Sequence, residues 1–238
     1  MAKLIFDIET AGEDFDSLDE TTQKMLTRWV KQNIVANSDE YEKALDGVKH
    51  DTVFSPLTSQ IVAIGVLDYE KDKGVVYFQA PGENIEKFEE NGIEFKPTTE
   101  KEMLEGFWKG AENYNEFISF NGRGFDVPFM MIRSAIHGVR ATKDLMSNRY
   151  LGSQKFGAVH VDLQDQLTFY GAFGRKGMSL HMFARAFGIE SPKANGISGD
   201  DVTGLFNQKK YKDIAKYNVG DLHATKELYD YWQKYIRF

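Results

Sequence analysis

Residues 3–8 constrain the fold of this chain more than any other stretch. Leu4, Ile5, Phe6 and Ile8 are apolar and β-prone, so Lys3–Ile8 reads as a short buried strand. Two carboxylates, Asp7 and Glu9, stand at its end. The period-two geometry of a strand sends both side chains to one face. An acidic pair on an apolar strand is costly to bury without a compensating cation. Taken alone, the pair fits a solvated strand end as well as it fits a cation site.

Four further strands and several helices follow from the pattern. Gln60–Leu67 is a continuous β-prone run, with a turn at Lys71–Gly74 and a hairpin partner at Val75–Gln79. Glu116–Phe120 and Ala158–Leu163 read as two more strands. Helical spacing marks Thr99–Asn113, and Pro128 suits the first turn of a helix running to Ile136. Ser179–Phe187 is a helix ended by Gly188, Asp201–Phe206 a short one, and Tyr211–Tyr235 a long one. Gly82–Pro97 is charged and poorly periodic, and reads as a loop.

Between the first two strands, residues 11–58 are acidic and polar. Met25, Leu26, Trp29, Val30 and Ile34 have helical spacing, with Trp29 a candidate core anchor, and a second helix over Ser38–Leu45 would be capped by Ser38. The segment reads as a helical insertion within one domain spanning 1–238. The whole predicts an α/β fold, a mixed sheet of five strands flanked by helices.

Composition narrows the chemistry. The chain has no cysteine, which excludes disulfides, thiolate zinc sites and a cysteine nucleophile. A hydrophobic fraction of 42%, with 18 Phe and 11 Tyr, is ample for a core. Met1–Phe6 is too short for a signal peptide, and no apolar run approaches the roughly 18 residues of a membrane span, so a soluble cytoplasmic protein without a membrane partner is expected. The net charge of −7 argues against broad binding to a phosphate backbone, though not against a narrow site where cations invert the local sign.

Two more acidic positions join Asp7 and Glu9. Asp126 precedes Val127-Pro128, and by itself is best read as a helix N-cap. Tyr217 and Asp221 are four apart on the last helix and share a face, where such a pair is usually ordinary surface. As a set, four carboxylates suit two hard divalent cations, which clamp the attacking and leaving oxygens of a phosphodiester displacement about 4 Å apart. With an ordinary pKa near 10, a tyrosine beside them is a poor base and is better suited to orienting water.

These residues fall in three motifs. Phe6-Asp7-Ile8-Glu9-Thr10, Phe120-Asn121-Gly122-Arg123-Gly124-Phe125-Asp126-Val127-Pro128 and Tyr217-Asn218-Val219-Gly220-Asp221 resemble the three motifs of the DEDDy 3′–5′ exonucleases. The likeness is to the proofreading domain of family-B DNA polymerases and its stand-alone relatives. His160-Val161-Asp162-Leu163, Ser179–Ile189, Gly196-Ile197-Ser198-Gly199 and Asp201-Val202 extend it. It covers 1–10 and about 60 onward, and leaves out the segment after Thr10 as far as Ser55.

The resemblance implies a ribonuclease H-like fold and two divalent cations, Mg²⁺ or Mn²⁺, held by Asp7, Glu9, Asp126 and Asp221. It implies that Tyr217 positions the water, that Asn121 and Phe125 contact the terminal nucleotide, and that Thr10 lies near its 3′ hydroxyl. The sister subclass carries a histidine five positions before the last Asp, where this chain has Lys216, so the tyrosine subclass is favoured. The polymerase module of those relatives has no counterpart before Phe238, so no DNA synthesis is expected.

The activity implied is release of nucleoside 5′-monophosphates from the 3′ end of single-stranded DNA. Ribonuclease D-like action on RNA, and a non-catalytic nucleic-acid-binding module, are the alternatives. Lys143, Arg149, Lys155, Arg175 and Lys176, with Phe169, Tyr170 and Phe173, could line a single-strand groove, though each residue singly is somewhat better read as part of a basic loop beside core aromatics. His137, His160 and His181 lack metal-ligand spacing and read as structural, and Asp162 as a solvated strand end.

Overall fold

The computed structural model describes residues 2–36, 38–174, 176–190 and 198–237. Arg175, Gly196 and Ile197 of the motifs above lie outside the described residues.

Among the described residues the strands form one seven-stranded sheet in the order β4-β5-β3-β2-β1-β6-β7. The strands are β1 (Lys3–Gly12), β2 (Ser59–Asp68), β3 (Lys73–Phe78), β4 (Phe88–Glu90), β5 (Ile93–Pro97), β6 (Glu116–Ser119) and β7 (Val159–Asp162). β1 is central, antiparallel to β2 and parallel to β6. The expected α/β class and mixed sheet are therefore present, with two strands more than the five expected. The additional pair, β4 and β5, lies in the stretch read as a loop. Its alternation is only two residues deep, with Ile93 and Phe95 buried and Glu94 and Lys96 more exposed. Its turn, Asn91-Gly92, takes positive φ at both residues, as a type I′ hairpin demands.

The helices are α1 (Glu20–Asn33), α2 (Asp39–Asp51), α3 (Glu100–Ala111), α4 (Asp126–Ile136), α5 (Leu163–Leu167), α6 (Leu180–Phe187), α7 (Val202–Asn207) and α8 (Tyr211–Tyr235). Two apolar layers result from the alternation along β1. Leu4, Phe6 and Ile8 pack with Met103, Phe107, Trp108 and Phe129 of α3 and α4. Ile5 and Ala11 face the other way, toward Tyr211, Ile214, Leu222 and Trp232 of α8. Asp7 and Glu9 share the parity of Ile5, so the fold turns them toward α8.

α1 and α2 lie between β1 and β2, followed by a 3-10 turn at Thr52–Phe54. Trp29 is 65% exposed and anchors no core; Thr27 and Val30 are the buried residues of α1. The period of an amphipathic helix does not say which of several apolar residues lies on its inner face. No helix among the described residues is long and apolar enough to cross a membrane.

The β1–β2 ladder slips between Glu9 and Thr10, where Glu9 faces Ala63 and Thr10 faces Ile61. A bulge of this kind re-aims side chains beside a site. The Ile61 N–H at the bulge donates to Glu100 Oε1 at 2.8 Å. Arg133 of α4 grips the same carboxylate with Nε at 2.8 Å and Nη2 at 2.6 Å. Burial alone would raise the pKa of Glu100, but the bonds from Arg133, Ile61 and His137 outweigh it and hold the pKa below the ordinary value. Glu100 thus ties α3, α4 and the bulge together behind the acidic end of β1. Substituting Glu100→Ala leaves Arg133 and the Ile61 N–H buried without their partner. Urea denaturation of that variant is expected to show a loss of about 3–5 kcal/mol.

Candidate active site

Three of the predicted ligands converge. Asp7 and Glu9 of β1 and Asp221 of α8 each offer a carboxylate oxygen, and these oxygens lie within 4.8 Å of one another. Glu9 and Asp221 are buried and Asp7 half-buried. The charges acting on Asp7 besides burial are those of Asp126, Asp221 and Glu9, all negative. Burial first, and then these neighbours, push the pKa of Asp7 well above the ordinary carboxylate value. Glu9 is raised in the same way by burial and Asp221, against a hydrogen bond from Asn218 that lowers it.

Asp126 stands beside this group and outside the three-oxygen cluster. It is not the N-cap of α4; that position is Phe125, and Asp126 is the first helical residue, with Pro128 still in the first turn. Its Oδ1 accepts the Ile8 N–H at 3.0 Å, so its carboxylate is turned onto β1 between Asp7 and Glu9. Burial raises its pKa to about 7 in spite of the N–H groups of Asp126 and Ile8, with Asp162 and Asp221 adding to the rise.

Tyr217 lies one helical turn before Asp221 and is half-buried. Burial and the charges of Asp221, Glu9 and Asp7 push its pKa far above the ordinary tyrosine value. The hydroxyl is therefore held in its protonated form beside the carboxylates and is a poor base.

A cleft of about 240 Å³ opens over the cluster, lined by Asp7, Tyr217 and Asp221 together with Phe120, His181 and Asp200. A neighbouring hollow of about 370 Å³ shares the Phe120, Ser179 and Leu180 wall and is lined by Asn121. Of the predicted substrate contacts, Asn121 thus lines the hollow beside the cleft, not the cleft itself. Phe125 packs against Phe54 and Phe129 at ring separations of 6.3 Å and 5.3 Å. Thr10 is buried, and its hydroxyl donates to the Val53 carbonyl at 3.2 Å. The end of α2 reaches the rim, where His50 Nε2 lies 3.8 Å from Asp200 Oδ1.

Two residues that matter here were read otherwise from sequence. Asp162 is 2% exposed and is not a solvated strand end. Its carboxylate accepts from the N–H groups of Asn121 (3.0 Å) and Arg123 (2.9 Å) and caps α5 through Gln164 (3.0 Å). That grip holds the loop before Asp126, in which Asn121 takes a left-handed φ of 59°. Gly122 must be small, since a Cβ there would sit 2.1 Å from Ser119 Oγ. The short helix α5 after β7 carried the signal, because Asp is a favoured N-cap. The second is Asn218, which was quoted within the third motif without a role. Its Nδ2 donates to Asp7 Oδ2 at 2.8 Å.

The basic groove is partly spent on structure. Lys143 donates to the Tyr114 and Gly157 carbonyls at 3.0 Å each, and Arg149 clasps Asp165 at 2.8 and 3.0 Å. Lys155 and Lys176 are exposed. Phe169 and Phe173 are 56% and 55% exposed, so they are not core aromatics. His160 is structural as expected: burial lowers its pKa to about 4. Its Nδ1–H donates to the Leu145 carbonyl at 3.1 Å, which leaves Nε2 to accept from Ser119 at 2.8 Å.

Comparisons with known proteins give a family and a similar fold. A family model described as a predicted 3′–5′ exonuclease related to the exonuclease domain of PolB matches residues 54–236. The match takes in Asp126, Tyr217 and Asp221; Asp7 and Glu9 precede it. The fold is similar to that of the family B DNA polymerase from the hyperthermophilic archaeon Pyrobaculum calidifontis, with a TM-score of 0.59 and 17% identity. The superposition covers 98% of this chain and 24% of the polymerase, so the chain spans about a quarter of that protein. No curated protein matches the sequence.

The raised carboxylates set a pH dependence. In the unfolded chain Asp7, Glu9 and Asp126 lose their protons near pH 4, whereas the folded protein retains them to higher pH. The folded state binds more protons in that window, so stability falls as pH rises through it. Melting in the presence of a chelator is expected to show Tm dropping by several degrees from about pH 5 to about pH 8. Adding Mn²⁺ should reverse most of the drop at the upper end, where the carboxylates are ionised.

Proposed function

The chain belongs to the family of predicted 3′–5′ exonucleases related to the exonuclease domain of PolB, and from that premise we propose that it is a DEDDy-type enzyme removing nucleotides from the 3′ end of single-stranded DNA. The observation that carries the reading is the convergence of Asp7, Glu9 and Asp221 on one cleft, with Asp126 turned toward them. An all-oxygen donor set of this kind fits Mg²⁺ or Mn²⁺. Burial and, after it, mutual repulsion raise the pKa values of these carboxylates, and once they are ionised a bound cation relieves both.

In this reading Asp7, Glu9, Asp126 and Asp221 hold two divalent cations. Such ions lower the pKa of a bound water and neutralise charge developing on the leaving 3′ oxygen. The chain's own residues do the rest. Tyr217, fixed in its protonated form, orients the attacking water by hydrogen bonding. Asn121 and Phe125 hold the terminal nucleotide, and Thr10 lies by its 3′ hydroxyl. The water oxygen bonds to phosphorus, the bond to the 3′ oxygen of the preceding nucleotide breaks, and a nucleoside 5′-monophosphate leaves. Residues 1–238 act as one exonuclease domain, with 11–58 as an added segment that reaches the cleft rim through His50. Exposed Phe169 and Phe173 are stacking surfaces for the incoming strand.

Oligonucleotides labelled at the 5′ end are expected to give a ladder shortening from the 3′ end, faster for DNA than for RNA of the same sequence, and no ladder with chelator. Faster cutting of RNA would make the chain an exoribonuclease; no cutting of either would leave a binding module. Asp7→Ala should abolish hydrolysis, a fall of at least about 10³-fold, without lowering Tm in chelator, because it removes one of several like charges. Tyr217→Phe should lower kcat by about 10- to 100-fold and leave the shape of the pH profile unchanged, since the tyrosine does not titrate in the working range.

A further inference from the structure

Asn218 has no part in the roles just assigned, yet it is fully buried against the carboxylate cluster. Its amide nitrogen bridges two of the carboxylates, donating to Asp7 Oδ2 at 2.8 Å and lying 3.4 Å from Glu9 Oε1. Its Oδ1 has no hydrogen-bond partner among the described residues. That oxygen is pressed over Gly65, where a Cβ would lie 1.8 Å from it. Gly65 is the cross-strand partner of Asp7. The missing side chain on β2 is therefore the space in which the amide lies flat on the sheet beside Asp7.

An unpaired buried carbonyl is destabilising. A leucine of similar size would avoid that cost, so stability does not account for an asparagine here. The two N–H bonds do. A lysine would donate equally well, but its charge would compete with a cation for the same carboxylates. A neutral donor orients both and leaves their charge intact. Asn218 and Asp221 are three apart on α8, hence on one face, so the helix that brings one carboxylate also brings the donor for the other two.

We propose that Asn218 is a positioning residue, which holds Asp7 and Glu9 in a shared orientation ready for a divalent cation, and that Gly65 is glycine to admit it. The proposal rests on the cation-binding reading above, and its test separates the two. Mn²⁺ binding is measured by calorimetry on the full chain and on Asn218→Ala, Asn218→Leu, Gly65→Ala and the double variant Gly65→Ala/Asn218→Ala. Asn218→Ala and Asn218→Leu are each expected to weaken Mn²⁺ binding by about 10- to 100-fold. Asn218→Leu keeps the volume and removes the unpaired carbonyl, so it should melt close to wild type and carry the test if the alanine variant does not fold. In hydrolysis it should need more Mn²⁺ for half-maximal rate while approaching the wild-type kcat at saturation. Gly65→Ala should weaken binding alone, yet add little in the Asn218→Ala background, where the amide it collides with is gone and only the movable end of Leu222, at 2.9 Å, remains to shift. A folded Asn218→Leu with wild-type affinity, or full additivity in the double variant, overturns the proposal while the cation site stands. A wild-type protein that binds no Mn²⁺ overturns both.

Discussion

Like-charge repulsion in a buried space is the constraint around which this molecule is arranged. Asp7, Glu9 and Asp221 approach within 4.8 Å, and Asp126 adds its charge from one side. Nothing in ordinary folding energetics favours such a cluster. Its cost appears directly in the raised pKa values of Asp7, Glu9 and Asp126. A chain keeps such a defect where function uses it, and the surrounding structure must compensate.

The compensation is local and mostly neutral. The carboxylates are steadied by backbone N–H groups and an amide: Ile8 for Asp126, and Asn218 for Asp7 and Glu9. Where the fold does use full charge, it places it one layer back. Arg133 grips Glu100 behind the bulge, and Arg149 grips Asp165 behind the loop that Asp162 holds. Cations near enough to stiffen the frame are thereby tied down at a remove from the cleft. The apolar layers on both faces of β1 supply the stability that the site consumes.

The parts of this design that follow a period were legible in the sequence. Strands β1, β2, β3, β6 and β7, α8 from Tyr211 to Tyr235, and the start and stop of α6 at Ser179 and Gly188 all emerge from apolar spacing and capping chemistry. Those periods put Asp7 and Glu9 on one face of a strand and Tyr217 and Asp221 on one face of a helix, but it was the resemblance of the three motifs that drew them, with Asp126, into one ligand set. The parts that depend on a partner distant in the chain were not legible from periods. By itself Asp126 reads as a cap, and only the fold shows its carboxylate turned onto β1. Asp162 looks like a strand end until Asn121 and Arg123 turn their N–H groups onto it. Strands β4 and β5 are too short for alternation to stand out, although Asn91-Gly92 announced their hairpin. Gly65 inside β2 carries no signal of its own in the sequence, because its meaning lies in Asn218, far along the chain.

The distribution of charge also bears on how an acidic protein can engage a polyanion. The net charge of −7 gives no long-range attraction to a phosphate backbone, and each phosphate neutralised by lysine or arginine would contribute to a steep salt dependence. Lys143 and Arg149, in the most basic stretch, spend their donors on carbonyls and on Asp165. Among the described residues of that stretch, Lys155 and Lys176 are the exposed cations. Exposed phenylalanines and a cation-loaded carboxylate cluster can supply affinity without them, through stacking and through oxygen ligands on the scissile phosphate. In the proposed function, binding of that kind would be concentrated at the end of a strand, where bases are unstacked and a terminal phosphate can enter a narrow cleft. The acidity of the chain would then act together with its carboxylate cluster: a net negative charge disfavours polyanions elsewhere on the protein, and a cation-loaded cleft would be the favoured point of contact.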